Sequence, residues 1–184
     1  MGKLYEEINA GLADWLKAQQ VFFVGTAPLS ANGMVNCSPK GMDTFRILGP
    51  RQVAYLDLTG SGVETIAHLR ENGRIVVMFC AFSGPPKIVR LHGTGEVITS
   101  ESPDWESLRQ GFPEYPGARA VIRVDVSRIS DSCGYAVPRM EYVEERDVLI
   151  RSTEAKGVEG NKKYQRERNA HSLDGLPALD SDSG

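Results

Sequence analysis

The stretch Met34–Arg74, MVNCSPKGMDTFRILGPRQVAYLDLTGSGVETIAHLRENGR, reads as strand, turn, strand, loop and helix. Ser38-Pro39-Lys40-Gly41 interrupts the first strand, and Thr59-Gly60-Ser61-Gly62 leads straight into the helix. A helix N-terminus presents unpaired N–H groups and about half a positive charge. With two hydroxyls and two glycines in front of it, that end can seat an anionic group. Lys40 supplies a positive charge from the neighbouring strand. Pro39 cannot donate to a sheet ladder, so its strand carries an edge, a bulge or a gap there.

Outward from this stretch the pattern is β-rich. Upstream, Leu4, Ile8, Leu12, Trp15 and Leu16 recur at helical spacing, and Val21–Ala27 is a continuous apolar strand. Within the stretch, Phe45–Leu48 and Val53–Leu58 are strands joined by the tight turn Gly49-Pro50-Arg51-Gln52, and the helix Val63–Glu71 stops at Asn72-Gly73. Downstream come Ile75–Phe82, Lys87–Ile98 with Gly93 and Gly95 allowing a bend or bulge, a short helix from Ser102, and Ala118–Val126. From Met140 the chain reads as helical and charged, anchored by Tyr142, Leu149 and Ile150, and residues 180–184 read as a disordered tail. About seven strands in hairpin order, without βαβ alternation, predict a mainly β fold with peripheral helices, a closed or partly closed barrel. We expect one domain over 1–184, with a core of about 4–126 and an irregular strand and helical extension over 127–179.

A chain of 184 residues with a formal charge of -3 lacks the basic excess that nucleic acid demands. No apolar run approaches the roughly 20 residues of a membrane span. Cys37, Cys80 and Cys133 show no CxxC spacing, which gives no metal signature and fits a reduced, cytoplasmic setting.

The candidate binding residues begin with the Thr59–Gly62 loop, where Ser61 and Thr65 add hydroxyl donors. The alternative reading of that loop is structural: Ser61 caps the helix, Glu64 fills its first turn, and nothing binds. Glu64 beside a phosphate is unfavourable unless it points away. Arg90 and His92 share one face of their strand, and a buried Arg90 needs a partner, either a ligand phosphate or Asp57, Glu96 or Asp125. No activated nucleophile, Walker loop or dinucleotide fingerprint is present, so no catalytic residue is assigned.

The order of elements from Leu4 to Val126, together with Ser38-Pro39-Lys40-Gly41, resembles the pyridoxamine 5'-phosphate oxidase-like family. The resemblance implies an FMN-binding split β-barrel and a homodimer with FMN at the subunit interface. The strand matching Asn36–Gly41 would line the isoalloxazine and ribityl chain, the segment Leu58–Thr65 would hold the phosphate, and Lys87–Arg90 would add polar contacts, often across the dimer. Carried over, FMN would touch Asn36, Cys37, Ser38, Lys40, Thr59, Ser61, Gly62, Thr65, Lys87 and Arg90. Two departures stand out. Authentic pyridoxamine phosphate oxidases carry an Arg-Lys pair where this chain has Glu64-Thr65, and they end in a basic substrate-binding strand where this chain has Leu176-Pro177-Ala178-Leu179 and an acidic tail. The first shifts the expected phosphate contacts onto Lys40 and Arg90, and the second argues against vitamin B6 oxidation.

The expected activity is FMN-dependent oxidoreduction, with hydride transfer at flavin N5 to or from a small molecule. The alternatives are a non-catalytic FMN-binding module serving as sensor, carrier or stress protein, and a deazaflavin-dependent reductase. A haem-degrading role is weakened because His68, His92 and His171 sit in no recognisable haem-ligand context.

Overall fold

The computed structural model describes residues 2–179; the expected tail 180–184 lies outside them. The strands are β1 (Leu4–Tyr5), β2 (Phe22–Thr26), β3 (Asn36–Lys40), β4 (Phe45–Gly49), β5 (Gln52–Leu58), β6 (Arg74–Cys80), β7 (Ile88–Ile98) and β8 (Ala118–Ser132). The helices are α1 (Ala10–Lys17), α2 (Glu64–Asn72), α3 (Trp105–Arg109) and α4 (Val148–Arg168). All pairings are antiparallel, in the order β3-β2-β6-β7-β8-β5-β4, with the short β1 added to β8. The sheet curls until its two ends face each other without pairing. The Phe22 ring on β2 lies 5.5 Å from Phe45 on β4, and Lys40 on β3 reaches Asp57 on β5. This is a split barrel.

The interior is filled by the buried face of each strand, including Val24, Val53, Tyr55, Val77, Phe79, Leu91 and Ile122, and is closed by Leu12, Leu16, Ile66 and Leu69 from the helices. A second, smaller cluster packs Leu56, Val121 and Ile98 beneath Phe112 on the outside of the wall. Helix α2 ends where the sequence says it should. Gly73 adopts φ 70°, a left-handed C-cap, and its N–H returns to the Leu69 carbonyl. Gly93 marks the expected bulge: the register slips between His92 and Gly93 against β8, and a Cβ on Gly93 would lie 2.1 Å from the Asp125 carbonyl oxygen.

The C-terminal third differs from the sequence reading. β8 runs on to Ser132, so the expected core boundary at 126 falls inside a strand paired along its length to β7. The helix begins at Val148 rather than Met140, because residues 141–147 bury no face against the body: all are exposed, Tyr142 and Val143 included. Helix α4 kinks at Gly157, which leaves helical geometry with φ 65° and ψ −178°. Residues 169–179 then form a small hairpin, with His171 bridged to Pro177, that buries Ala178 in the main core.

Candidate functional site

Strand alternation decides which predicted residues meet. Asn36, Ser38 and Lys40 lie opposite Thr26, Val24 and Phe22, all buried, so these three point to the inner side of the barrel at its split. Cys37 and Pro39 point outward and are exposed. Arg90 falls in the row Pro39–Phe23–Met78–Arg90 and shares that outer face, while its neighbours Val89 and Leu91 are buried inside. Lys40 and Arg90 of one chain therefore face opposite sides of the sheet and do not converge on one anion. Nor is Arg90 paired with the expected carboxylates: its Nη1 donates to Ser132 Oγ at 3.0 Å. Lys87 is drawn elsewhere again. Its Nζ sits 4.9 Å from the Trp15 ring and 5.5 Å from the Tyr5 ring, beside a cavity that Asp131, Cys133 and Tyr135 also line.

The inward group forms a continuous polar seam along the split. Ser38 Oγ donates to Asn36 Oδ1 at 3.0 Å, and Asn36 Nδ2 donates to Thr65 Oγ1 at 3.0 Å and to Thr26 Oγ1 at 3.2 Å. Thr26 Oγ1 in turn lies 2.9 Å from His68 Nδ1 on α2. In either tautomer His68 Nε2 is left buried without a partner. Burial pushes the His68 pKa down, against the pull of Asp174, Glu64 and Glu71. The Tyr55 hydroxyl approaches Thr65 but makes no well-formed hydrogen bond, and burial followed by the Asp57 charge keeps it protonated.

Next to the seam lies a buried ion cluster. Asp57, fully buried on β5, accepts from Lys40 Nζ at 2.8 Å and from Arg119 Nε at 2.7 Å. Burial alone would raise the Asp57 pKa, but the two cations outweigh it and hold it at about 2. Arg119 also donates to the Gly62 carbonyl at 2.8 Å and to Asn169 Oδ1 at 2.8 Å. Arg119 reaches inward because β5 and β8 slip register there, Asp57 facing Ala120 and Leu58 facing Ala118. The bulged residue thus leaves the alternation that the sequence suggests.

The Thr59–Gly62 loop is held by groups that the sequence reading did not flag. Thr59 Oγ1 donates to the Gly117 carbonyl at 2.7 Å and accepts from Gln165 Nε2 at 2.7 Å. Asn169 Nδ2 donates to the Gly60 carbonyl at 3.1 Å. Ser61 and Gly62 remain exposed. The structural alternative for this loop fails in one respect: the N-cap of α2 is Val63, and no side chain caps it. Glu64 does not point away. Its Oε2 would lie 2.5 Å from a Cβ on Gly62, so the carboxylate lies over the glycine, and its Oε1 accepts from the Leu173 N–H at 3.3 Å.

The chain belongs to the pyridoxamine 5'-phosphate oxidase family, whose model matches residues 8–133. It is 40% identical over 198 residues to the pyridoxamine 5'-phosphate oxidase family protein ustO of Aspergillus flavus, covering 96% of this chain and 78% of that one. Among solved structures it is similar to a variant of HupZ from Group A Streptococcus, with 26% identity and a TM-score of 0.55 over 68% of this chain and 99% of that one. A Lactobacillus delbrueckii protein, LDB0262, shares the fold at 19% identity and a TM-score of 0.52, over 69% of this chain and 98% of that one.

The residues present fit a flavin in their uncharged part. Asn36, Ser38 and Thr65 offer hydroxyl and amide groups in one row, and α2 starts without a cap. The charged part is balanced differently from the expectation: Lys40 and Arg119 are engaged by Asp57, and the first turn of α2 carries the chain's own carboxylate.

Proposed function

We propose that this protein is an FMN-dependent oxidoreductase of its family, working in the cytosol as a homodimer on a small molecule. Family membership together with the row Ser38–Asn36–Thr65 at the open edge of β3 supports this reading. Bound there, the flavin would supply a hydride donor or acceptor at N5, chemistry that needs position and electrostatics rather than a protein acid–base pair. Asn36 and Thr65, fixed to each other and to Thr26, would orient a polar chain lying along β3. Pro39 leaves that edge strand without an N–H at its centre, so a flat group can lie against it. Arg90 faces outward, where an approaching second subunit would receive it. The three thiols are all unpaired, which suits a reducing compartment.

The absence of an acid–base pair in the seam equally favours a second reading, in which the protein holds FMN without turnover. Titration of the purified protein with FMN, followed by anaerobic addition of NADH or NADPH, separates the two. Binding with bleaching of the flavin absorbance supports the oxidoreductase. Binding with colour retained against both donors and a panel of acceptors supports the holding role. If neither FMN nor riboflavin binds, both readings fall. Asn36→Ala should weaken binding by about 1 kcal/mol, the scale of one neutral hydrogen bond.

A further inference from the structure

Resting on the flavin reading above, we infer that Glu64 and the C-terminal hairpin 169–179 form a built-in competitor for the phosphate end of the cofactor. Four observations carry this. Glu64 lies over Gly62 beside the uncapped start of α2, where backbone N–H groups favour an anion, and so sets a charge of the same sign next to that place. The Leu173 N–H of the hairpin holds the Glu64 carboxylate in that position. The hairpin itself is tied to the loop and to the segment leading into β3: Asn169 bridges the Gly60 carbonyl and Arg119, and Asp174 accepts from the Met34 N–H at 3.0 Å. It also brings the Asp174 carboxylate to the approach to β3, which adds negative charge where a dianion would enter.

An incoming phosphate must therefore displace Glu64, and the Leu173 contact links that displacement to the hairpin. The hairpin is a removable cover rather than an extra strand. Its internal bonds, Ser172 N–H to the Leu176 carbonyl and Gly175 N–H to the Ser172 carbonyl, stay within the segment and can move with it. Its anchors on the body are the buried Ala178, the partly buried Leu176 and Leu179, and the polar ties above. Riboflavin lacks the phosphate and does not meet this competition, so the two flavins should respond differently.

The test uses the full chain and its Glu64→Gln variant, which keeps the shape of the side chain and removes its charge. Affinities for riboflavin 5'-phosphate and riboflavin are measured by calorimetry, and amide exchange of residues 169–179 is followed by mass spectrometry with and without each flavin. The expected result is FMN affinity at least tenfold higher in Glu64→Gln, unchanged riboflavin affinity, and at least tenfold faster exchange in 169–179 when FMN binds the wild-type chain but not when riboflavin does. Equal or weaker FMN binding by Glu64→Gln overturns the inference, as does FMN binding that leaves the hairpin amides as protected as before; either leaves the flavin reading standing. Failure of both proteins to bind either flavin overturns the flavin reading itself, and the inference with it.

Discussion

The inner and outer faces of the barrel wall use cations in opposite ways. Inside, Lys40 and Arg119 converge on one carboxylate with 1% exposure, and every heteroatom of that carboxylate is engaged. Outside, Arg90 meets a single serine hydroxyl. The difference follows from burial. A charge taken out of water must be paired at once, whereas a half-exposed one stays available to a ligand or a second chain. The inner cluster is thus structural in its first role, whereas Arg90 on the outer face makes one neutral hydrogen bond. Asp57→Asn should break this contrast most sharply. It leaves Arg119 buried without its counter-charge and should cost on the order of 3–5 kcal/mol in urea unfolding, whereas Arg90→Ala should cost about 1 kcal/mol or less. Comparable losses for the two variants would show that the inner cluster is not the stabilising one.

Acid separates the same two faces. Asp57 has a folded pKa of about 2 against an ordinary value of 3.8. Because the folded value is depressed, the associated stability is fully present above about pH 4 and is lost as pH falls from there through about 2. The gap corresponds to roughly 2 kcal/mol. Unfolding free energies measured between pH 5 and 2 should fall by that much more in the wild type than in Asp57→Asn. Parallel pH profiles for the two proteins would place the acid-sensitive charge elsewhere.

Much of this was readable from the chain, and the reasons for the rest are local. The succession of strands along the chain, the Gly73 stop and the Gly93 bulge follow from apolar runs and from glycines at places where other residues would clash. The pairings β2–β6 and β5–β8, by contrast, join strands far apart in sequence and leave no local signal. The row Asn36, Ser38 and Lys40 follows from simple alternation on β3. Arg119 was missed because a register slip against Asp57 turns it inward, and a slip leaves no trace in residue types. Asp57 appeared in the sequence reading as a partner for Arg90, but alternation on β7 sends Arg90 to the other face. Asn169 and Gln165 were missed because they act through a long-range contact, more than a hundred residues from the loop they hold. Leu176-Pro177-Ala178-Leu179 looked like a terminal departure from the family, yet Ala178 is 1% exposed and part of the main core. A short apolar run next to a Pro carries no periodicity from which docking could be inferred.

The smallest effect bears on the loop between the two faces. Had Ser61 capped α2, its removal would cost about 1 kcal/mol of stability. The N-cap is Val63 without a side-chain bond, and the loop is shaped instead by Gln165, Asn169 and Arg119. Ser61→Ala should therefore leave stability within about 0.5 kcal/mol of wild type, as an exposed surface change does. The same variant should weaken FMN by about 1 kcal/mol if its hydroxyl meets the phosphate. Unfolding in urea and calorimetric titration of the one variant thus read the two roles separately. A stability loss near 1 kcal/mol with unchanged FMN affinity would return Ser61 to the helix and take the phosphate away from this loop.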